Sequence, residues 1–128
     1  MKSSLQKIWD KTTEIVIDNE RLNKLITQAN EKLRKVAEKD ESKRELFDSV
    51  KIIIRMVRSQ LSGEYDAFSA KSLFLLVFAL LYFVIPTDMI PDFIPLIGFT
   101  DDITVLYYVV SSLAEDISLY REWENEMS

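Results

Sequence analysis

Apolar residues recur at alternating spacings of three and four along the first part of the chain, which predicts amphipathic helix rather than strand. Neither a glycine before Gly63 nor a proline before Pro86 interrupts this pattern. Such a seam packs against other helices of the chain or against a second copy, so it also predicts a surface for homo-oligomers. The seam positions are Leu5, Ile8, Thr12, Ile15, Asn19, Leu22, Ile26, Ala29, Leu33 and Val36.

Asn19 is the polar exception in this seam, and the sequence allows two interpretations of it. A buried asparagine would fix the register of one long helix over residues 5–36. Alternatively, Asp18 and Asn19 end one helix and begin another, because Asp and Asn favour caps and turns. Both interpretations stay open from the sequence alone.

A further amphipathic helix is predicted between the polar run "EKDESKRE" and Gly63, which suits a helix C-cap. Lys51, Arg55 and Arg58 lie on the side opposite its apolar stripe. Such a charged side is typical of a solvated face, and a binding face is the alternative. The stripe consists of Leu46, Phe47, Val50, Ile53, Ile54, Val57 and Leu61.

The next segment, "LFLLVFALLYFVI" at residues 73–85, is apolar on every side, so it must be surrounded by other helices or by lipid. At about 1.5 Å per residue it extends roughly 20 Å, against about 30 Å for a bilayer core. Extended back to Phe68 it approaches the length of a transmembrane helix, with Lys71 near one end and Tyr82 near the other. A core helix and a membrane helix are both compatible with this pattern.

Three prolines follow this apolar helix, in "YFVIPTDMIPDFIPLIGFTDD" at residues 82–102. Pro86, Pro91 and Pro95 push the residues before them out of helical conformation, which excludes a long regular helix here. A packed loop is therefore predicted, followed by one last helix that begins near Asp101. The inner face of that helix is predicted to contain Ile103, Leu106, Val110, Leu113 and Ile117.

These elements predict an all-α fold with a single domain over residues 1–128. We expect a small bundle of four to five helices, with a central apolar helix and a Pro/Asp-rich packed loop before the last helix. Residues 1–65 supply amphipathic helices, and residues 66–128 supply the apolar helix, the loop and the C-terminal helix.

Composition limits the chemistry of this protein. The chain has no histidine and no cysteine, which excludes His-dependent nucleophile systems, thiol chemistry and ordinary zinc sites. Residues 1–71 hold 15 of the 16 basic residues, interleaved with 12 acidic ones, so no clustered basic footprint for nucleic acid is predicted. Between Ser72 and Tyr120 every charged residue is acidic.

Four aspartates are the candidate site residues of the Pro/Asp loop: Asp88, Asp92, Asp101 and Asp102. One hypothesis is that they cap turns and helix ends by accepting backbone N–H groups. The alternative is that they converge and are neutralised by Mg²⁺ or Ca²⁺, or by Arg55, Arg58 or Lys71 brought back by the fold.

The motif as a whole resembles the signature of the YkvA-like family, domain of unknown function 1232, over roughly residues 70–110. The resemblance implies a short helical bacterial protein, often predicted to be a membrane protein, and implies no biochemical activity. Thr100 departs from the apolar residue more usual before the Asp pair. The motif residues are Tyr82, Pro86, Asp88, Pro91, Asp92, Pro95, Gly98, Asp101 and Asp102, of which the tyrosine, prolines and glycine are expected to shape the loop.

Three functions remain open from the sequence. The first is a membrane-associated, cytoplasm-facing helical protein without enzymatic activity, whose basic N-terminal part is attracted to anionic lipid. The second is a soluble cytoplasmic bundle that binds a partner helix. The third is a carboxylate site for a divalent cation. For the first two functions no cofactor is expected.

Overall fold

The computed structural model describes residues 4–37, 41–84 and 105–127, and within these ranges it contains helices and turns and no strand. The all-α prediction is confirmed. The helices are α1 (Ser4–Ile15), α2 (Asn19–Ala37), a 3-10 turn (Glu41–Lys43), α3 (Arg44–Ser62), α4 (Ala70–Val84), α5 (described over residues 105–112) and α6 (Ala114–Met127). The described ranges therefore contain more helices than the four to five expected.

The N-terminal seam is divided into two helices, which decides between the two interpretations of Asn19. Asn19 is exposed and is the first residue of α2. The carboxylate of Asp18 accepts the backbone N–H of Arg21 at 3.2 Å, which is the bond of a helix N-cap. The chain therefore breaks between α1 and α2 at this polar pair, where the Asp18 side chain satisfies one N–H group that the start of a helix leaves without a partner.

The C-terminal helix is also divided, at Leu113, where the sequence predicted one helix. The N–H of Leu113 is shared between the carbonyls of Val109, at 3.2 Å, and Val110, at 3.0 Å. This shared bond tightens one turn and separates α5 from α6. The division accounts for a helix beyond the expected number.

Gly63 ends α3, as the sequence predicted. Its φ of 82° lies in the left-handed region, and its N–H donates to the carbonyl of Gln60 at 3.3 Å. Glycine adopts this conformation without the steric cost that a Cβ imposes. The cap turns the chain into the connection at residues 63–69, which leads to α4.

α4 lies at the centre of the bundle and packs against α1, α2 and α3. Eight consecutive residues are buried, so protein covers every side of this stretch. These residues are Leu76, Val77, Phe78, Ala79, Leu80, Leu81, Tyr82 and Phe83. The structure thus surrounds the apolar helix with other helices, one of the two arrangements that its sequence allowed.

The length of α4 differs from the extended helix considered in the sequence. The Ser69 hydroxyl accepts the backbone N–H of Ser72 at 3.0 Å and caps the helix, which begins at Ala70 rather than Phe68. No helix in the described ranges combines the length and hydrophobicity needed to cross a bilayer. The transmembrane helix considered above is therefore not found there.

The buried faces of α1, α2 and α3 follow the predicted periodicity. The seam residues Ile8, Thr12, Ile15, Leu22, Ile26, Ala29 and Leu33 are all buried within one chain. The hydroxyl of Thr12 donates to the carbonyl of Ile8 at 2.8 Å, which satisfies the polar group of the seam. α3 adds Ile52 and Met56 to the core positions that its stripe predicted.

Candidate functional site

An open groove of about 510 Å³ lies between α2 and α3. Its lining comprises Asn30, Leu33 and Arg34 from α2, and Lys51, Ile54, Arg55 and Arg58 from α3. Lys51, Arg55 and Arg58 are spaced four and three residues apart, so they share one face of α3. We call this feature the basic groove.

The basic groove has an apolar floor and cationic walls. Leu33 and Ile54 are buried in the core, whereas the side chains of Arg34, Lys51 and Arg58 are exposed. None of the described residues that line the groove is a carboxylate. These three cations form no ion pair with the part of the chain that the structure describes.

Arg55 differs from the other cations of the groove because it pairs with Glu124 of α6. Its Nε donates to Oε2 of Glu124 at 2.8 Å, and its Nη2 donates to Oε1 at 3.0 Å. This two-point pair lowers the pKa of Glu124, mainly through the hydrogen bonds from Arg55, and raises the pKa of Arg55. The pair joins α3 to α6 at the edge of the basic groove.

The lowered pKa of Glu124 predicts a pH-dependent contribution to stability. A carboxyl whose pKa is lower in the folded than in the unfolded chain stabilises the fold above its unfolded pKa. That contribution is lost as the pH falls through the folded pKa. Because both partners are partly exposed, we expect Glu124→Gln to cost at most about 1 kcal/mol at neutral pH.

Urea unfolding of wild type and Glu124→Gln across the acidic range measures this contribution. The difference between the two free energies of unfolding should shrink as the pH is lowered from neutral to below about 4. Glu126→Gln is the matched control, because Glu126 is exposed on the same helix and has no ion pair with the described residues. If the difference in the free energy of unfolding stayed constant across the acidic range, Glu124 would not have the lowered pKa assigned to it.

Four aromatic residues form a cluster where the connection after α3 meets α6. Tyr65 lies 4.7 Å from Phe68, 5.2 Å from Tyr120 and 5.1 Å from Trp123, measured between ring centroids. Tyr120 and Trp123 are 5.4 Å apart on one face of α6. We call this cluster the aromatic corner, and it holds the connection at residues 63–69 against α6.

The hydroxyl of Tyr120 links the aromatic corner to α3. It lies 2.7 Å from Oγ of Ser59 and donates to the carbonyl of Arg55 at 3.2 Å. Burial is the main cause that raises the pKa of Tyr120. Residue 55 therefore contacts α6 twice, through its guanidinium and through its carbonyl.

A further polar contact fixes α6 to the start of α4. The hydroxyl of Ser72 donates to Oδ2 of Asp116 at 2.9 Å. α6 is thus attached to α3 through Arg55 and Ser59, and to α4 through Ser72.

The described residues include four of the site candidates from the sequence. Tyr82 is buried in α4, with its ring 5.8 Å from that of Phe78. Arg55 and Arg58 line the basic groove, and Lys71 is exposed in the first turn of α4. Pro86, Asp88, Pro91, Asp92, Pro95, Gly98, Asp101 and Asp102 lie outside the described residues, so the pairing of the aspartates with a cation stays a prediction.

No group of three or more acidic side chains within the described ranges is placed to hold a metal ion. This finding does not extend to the four motif aspartates. The Mg²⁺ or Ca²⁺ site at those aspartates therefore stays a prediction.

The motif and the fold can be compared with known proteins. The family model described as protein of unknown function DUF1232 matches residues 72–108, which extend from α4 into α5. The chain is 33% identical over 85 residues to a Bacillus subtilis (strain 168) protein named uncharacterized membrane protein YkvA. That match covers 66% of this chain and 80% of the relative. No solved structure matches significantly.

The chain therefore belongs to the DUF1232 family, the YkvA-like family that its motif resembles.

Sequence reasoning assigned the cations of α3 to a charged face but did not place Arg34 beside them. It also missed Glu124 as the partner of Arg55, since 69 residues separate the two. The sequence contains only a weak indication of the aromatic corner: Tyr120 and Trp123 are three residues apart and therefore share a helix face.

Proposed function

We propose that this protein is a membrane-associated helical protein without enzymatic activity, bound to the surface of a membrane. The observation that carries the proposal is the similarity to a relative named as a membrane protein, which covers most of that relative's length. We propose surface binding rather than insertion because α4 is enclosed by α1, α2 and α3. Inserting α4 into lipid would require these packed contacts to be broken.

An exposed tryptophan supports contact with a membrane surface. The side chain of Trp9 on α1 is 46% exposed, and its ring lies 4.4 Å from Phe74 and 5.6 Å from Phe78 of α4. Tryptophan is enriched at membrane interfaces because its ring is apolar while its N–H remains hydrated. Trp9 and Phe74 thus provide a small aromatic contact surface on the outside of the bundle.

Charge supports the cytoplasmic orientation of this proposal. The basic groove presents three cations that form no ion pair with the described residues, and the cytoplasmic leaflet carries a negative surface potential. Electrostatic attraction of this kind strengthens the binding of surface helices that also bury apolar side chains.

The absence of the usual catalytic groups from the whole sequence supports a non-enzymatic role. The chain contains no histidine or cysteine, so a Ser-His or Cys-His pair cannot be assembled. The hydroxyl of Ser59 faces that of Tyr120, which is not a general base at neutral pH.

Membrane fractionation of the full-length protein tests the proposal. We expect the protein to sediment with membranes at low ionic strength and to be released by high salt or alkaline carbonate, because surface attraction is screened by salt. Recovery in the supernatant at low ionic strength would refute membrane association. Retention through both washes would show that the protein is inserted in lipid and would refute the surface mode.

A soluble interaction module is the second candidate function. The exposed aromatic residues Tyr107 and Tyr108 of α5, at 43% and 74% exposure, and Leu119 of α6, at 50%, favour it. Aromatic residues are enriched at protein interfaces. Recovery of the protein in the supernatant would favour this second candidate function.

A further inference from the structure

We infer that the basic groove between α2 and α3 binds the phosphate group of an anionic ligand. This inference rests on the proposed function, for which it names the chemical group recognised at the membrane: a lipid phosphate. A soluble phosphate ester has the same chemistry, and the experiment below distinguishes the two sources.

The arrangement of charge in the basic groove favours an anionic ligand. Arg34 of α2 faces Lys51 and Arg58 of α3 across the groove, and the lining that the structure describes between them includes no carboxylate. The three cations form no ion pair with the described residues. Like charges that share a groove repel one another, and a bound anion would remove that repulsion.

The donor groups of the basic groove suit a phosphate. A guanidinium presents parallel N–H donors that match two oxygens of a phosphate, and Arg34 and Arg58 supply two such groups. Lys51 adds a compact charge with three donors. This donor set suits a phosphate monoester, which carries more charge than a diester and exposes three terminal oxygens.

The size and the apolar floor of the basic groove suit a small phosphate ester. Its volume of about 510 Å³ falls within the range of small-ligand sites. Leu33 and Ile54 form an apolar floor beneath the cations, and Asn30 adds an amide at the wall. A phosphate joined to a glycerol group fits this combination, with its carbon atoms over the floor and its phosphate among the cations.

Arg55 has a different role at the groove edge. Glu124 accepts hydrogen bonds from its Nε and Nη2 and balances its charge, so Arg55 attracts an anion less than the other three cations do. We therefore assign phosphate binding to the other three cations.

The experiment compares full-length wild type with the double variant Lys51→Gln, Arg58→Gln. The matched control is Lys11→Gln, Lys24→Gln, which removes the same charge from exposed positions outside the groove. Sedimentation is measured with vesicles of phosphatidylcholine alone and of four parts phosphatidylcholine to one part phosphatidic acid. NMR titration with glycerol 3-phosphate provides a probe without a membrane, and circular dichroism verifies that each variant is folded.

We expect wild type and the control to bind the phosphatidic acid vesicles, and the groove variant to bind them at least about tenfold more weakly. Glycerol 3-phosphate should shift amide resonances around the groove in wild type and in the control, and not in the groove variant. Equal binding of all three proteins to these vesicles would overturn the groove assignment while leaving membrane association intact.

The remaining outcomes separate the inference from the function on which it rests. Glycerol 3-phosphate shifts at the groove without binding to either kind of vesicle would support a soluble phosphate ligand and refute the membrane function. Equal wild-type binding to both kinds of vesicle, without glycerol 3-phosphate shifts, would support membrane association and overturn phosphate recognition. Absence of binding to all probes would overturn both proposals.

Discussion

Replacing Leu22 by Asp is expected to unfold the bundle. Leu22 lies in the buried seam of α2 with 3% exposure, and α2 packs against both α3 and α4. The substitution removes apolar contacts and places a carboxylate where water is excluded. We expect a loss of at least about 4 kcal/mol, a large part of the roughly 5 to 15 kcal/mol that stabilises a small domain.

Asn23→Asp is the matched control for this variant. Asn23 is the next residue of α2 and is exposed, so the control introduces the same side chain one position away from the core. Thermal unfolding followed by circular dichroism should show a normal transition for Asn23→Asp and little or no folded protein for Leu22→Asp. Similar transitions for both variants would mean that α2 does not bury this face.

Replacing Tyr120 by Ala is expected to loosen α6 from the bundle. Tyr120 is 2% exposed, contacts the rings of Tyr65 and Trp123, and hydrogen-bonds to α3. We expect a loss of about 3 to 5 kcal/mol, because the substitution removes a buried aromatic ring and leaves a cavity.

Tyr120→Phe separates the contribution of the hydroxyl from that of the ring. It retains the aromatic contacts and removes the bonds to Ser59 and to the carbonyl of Arg55, for an expected cost of about 1 kcal/mol. Urea unfolding gives both free energies, and fluorescence of Trp123 in a Trp9→Phe background reports on the corner itself. If Ala cost no more than Phe, the aromatic corner would not hold α6.

Much of the local structure could be predicted from the sequence. The buried positions of α2 and α3 follow a spacing of three and four, because an amphipathic helix must turn its apolar face to the core. Gly63 was identifiable as a cap because few residues adopt a positive φ. The family was also identifiable, since its prolines and aspartates recur at fixed spacing within one segment.

Other features depended on choices that the sequence left open. The polar pair at Asp18 and Asn19 was compatible with a buried register position and with a helix break. In the structure the Asp18 side chain caps α2 by accepting the N–H of Arg21, so the helix breaks there. The division between α5 and α6 at Leu113 could not be predicted from a helix-breaking residue, because neither proline nor glycine occurs there. A tight turn with a shared hydrogen bond leaves little trace in residue type.

The candidate site was the least accessible to sequence reasoning. Arg58 lies across a groove from Arg34, a neighbour that the sequence pattern did not indicate. The ion pair between Arg55 and Glu124 joins residues that are 69 positions apart in the sequence. Such contacts depend on how helices pack, and helix periodicity specifies only which face is turned inward.

By itself, the sequence determined the helical class, the buried faces of α2 and α3, the cap at Gly63 and the family, because each depends on residues within a few turns of one another. It also determined that the segment around Val77 must be surrounded on all sides. Only the tertiary structure decided that α1, α2 and α3 surround it, because an apolar helix has the same composition whether protein or lipid is its neighbour.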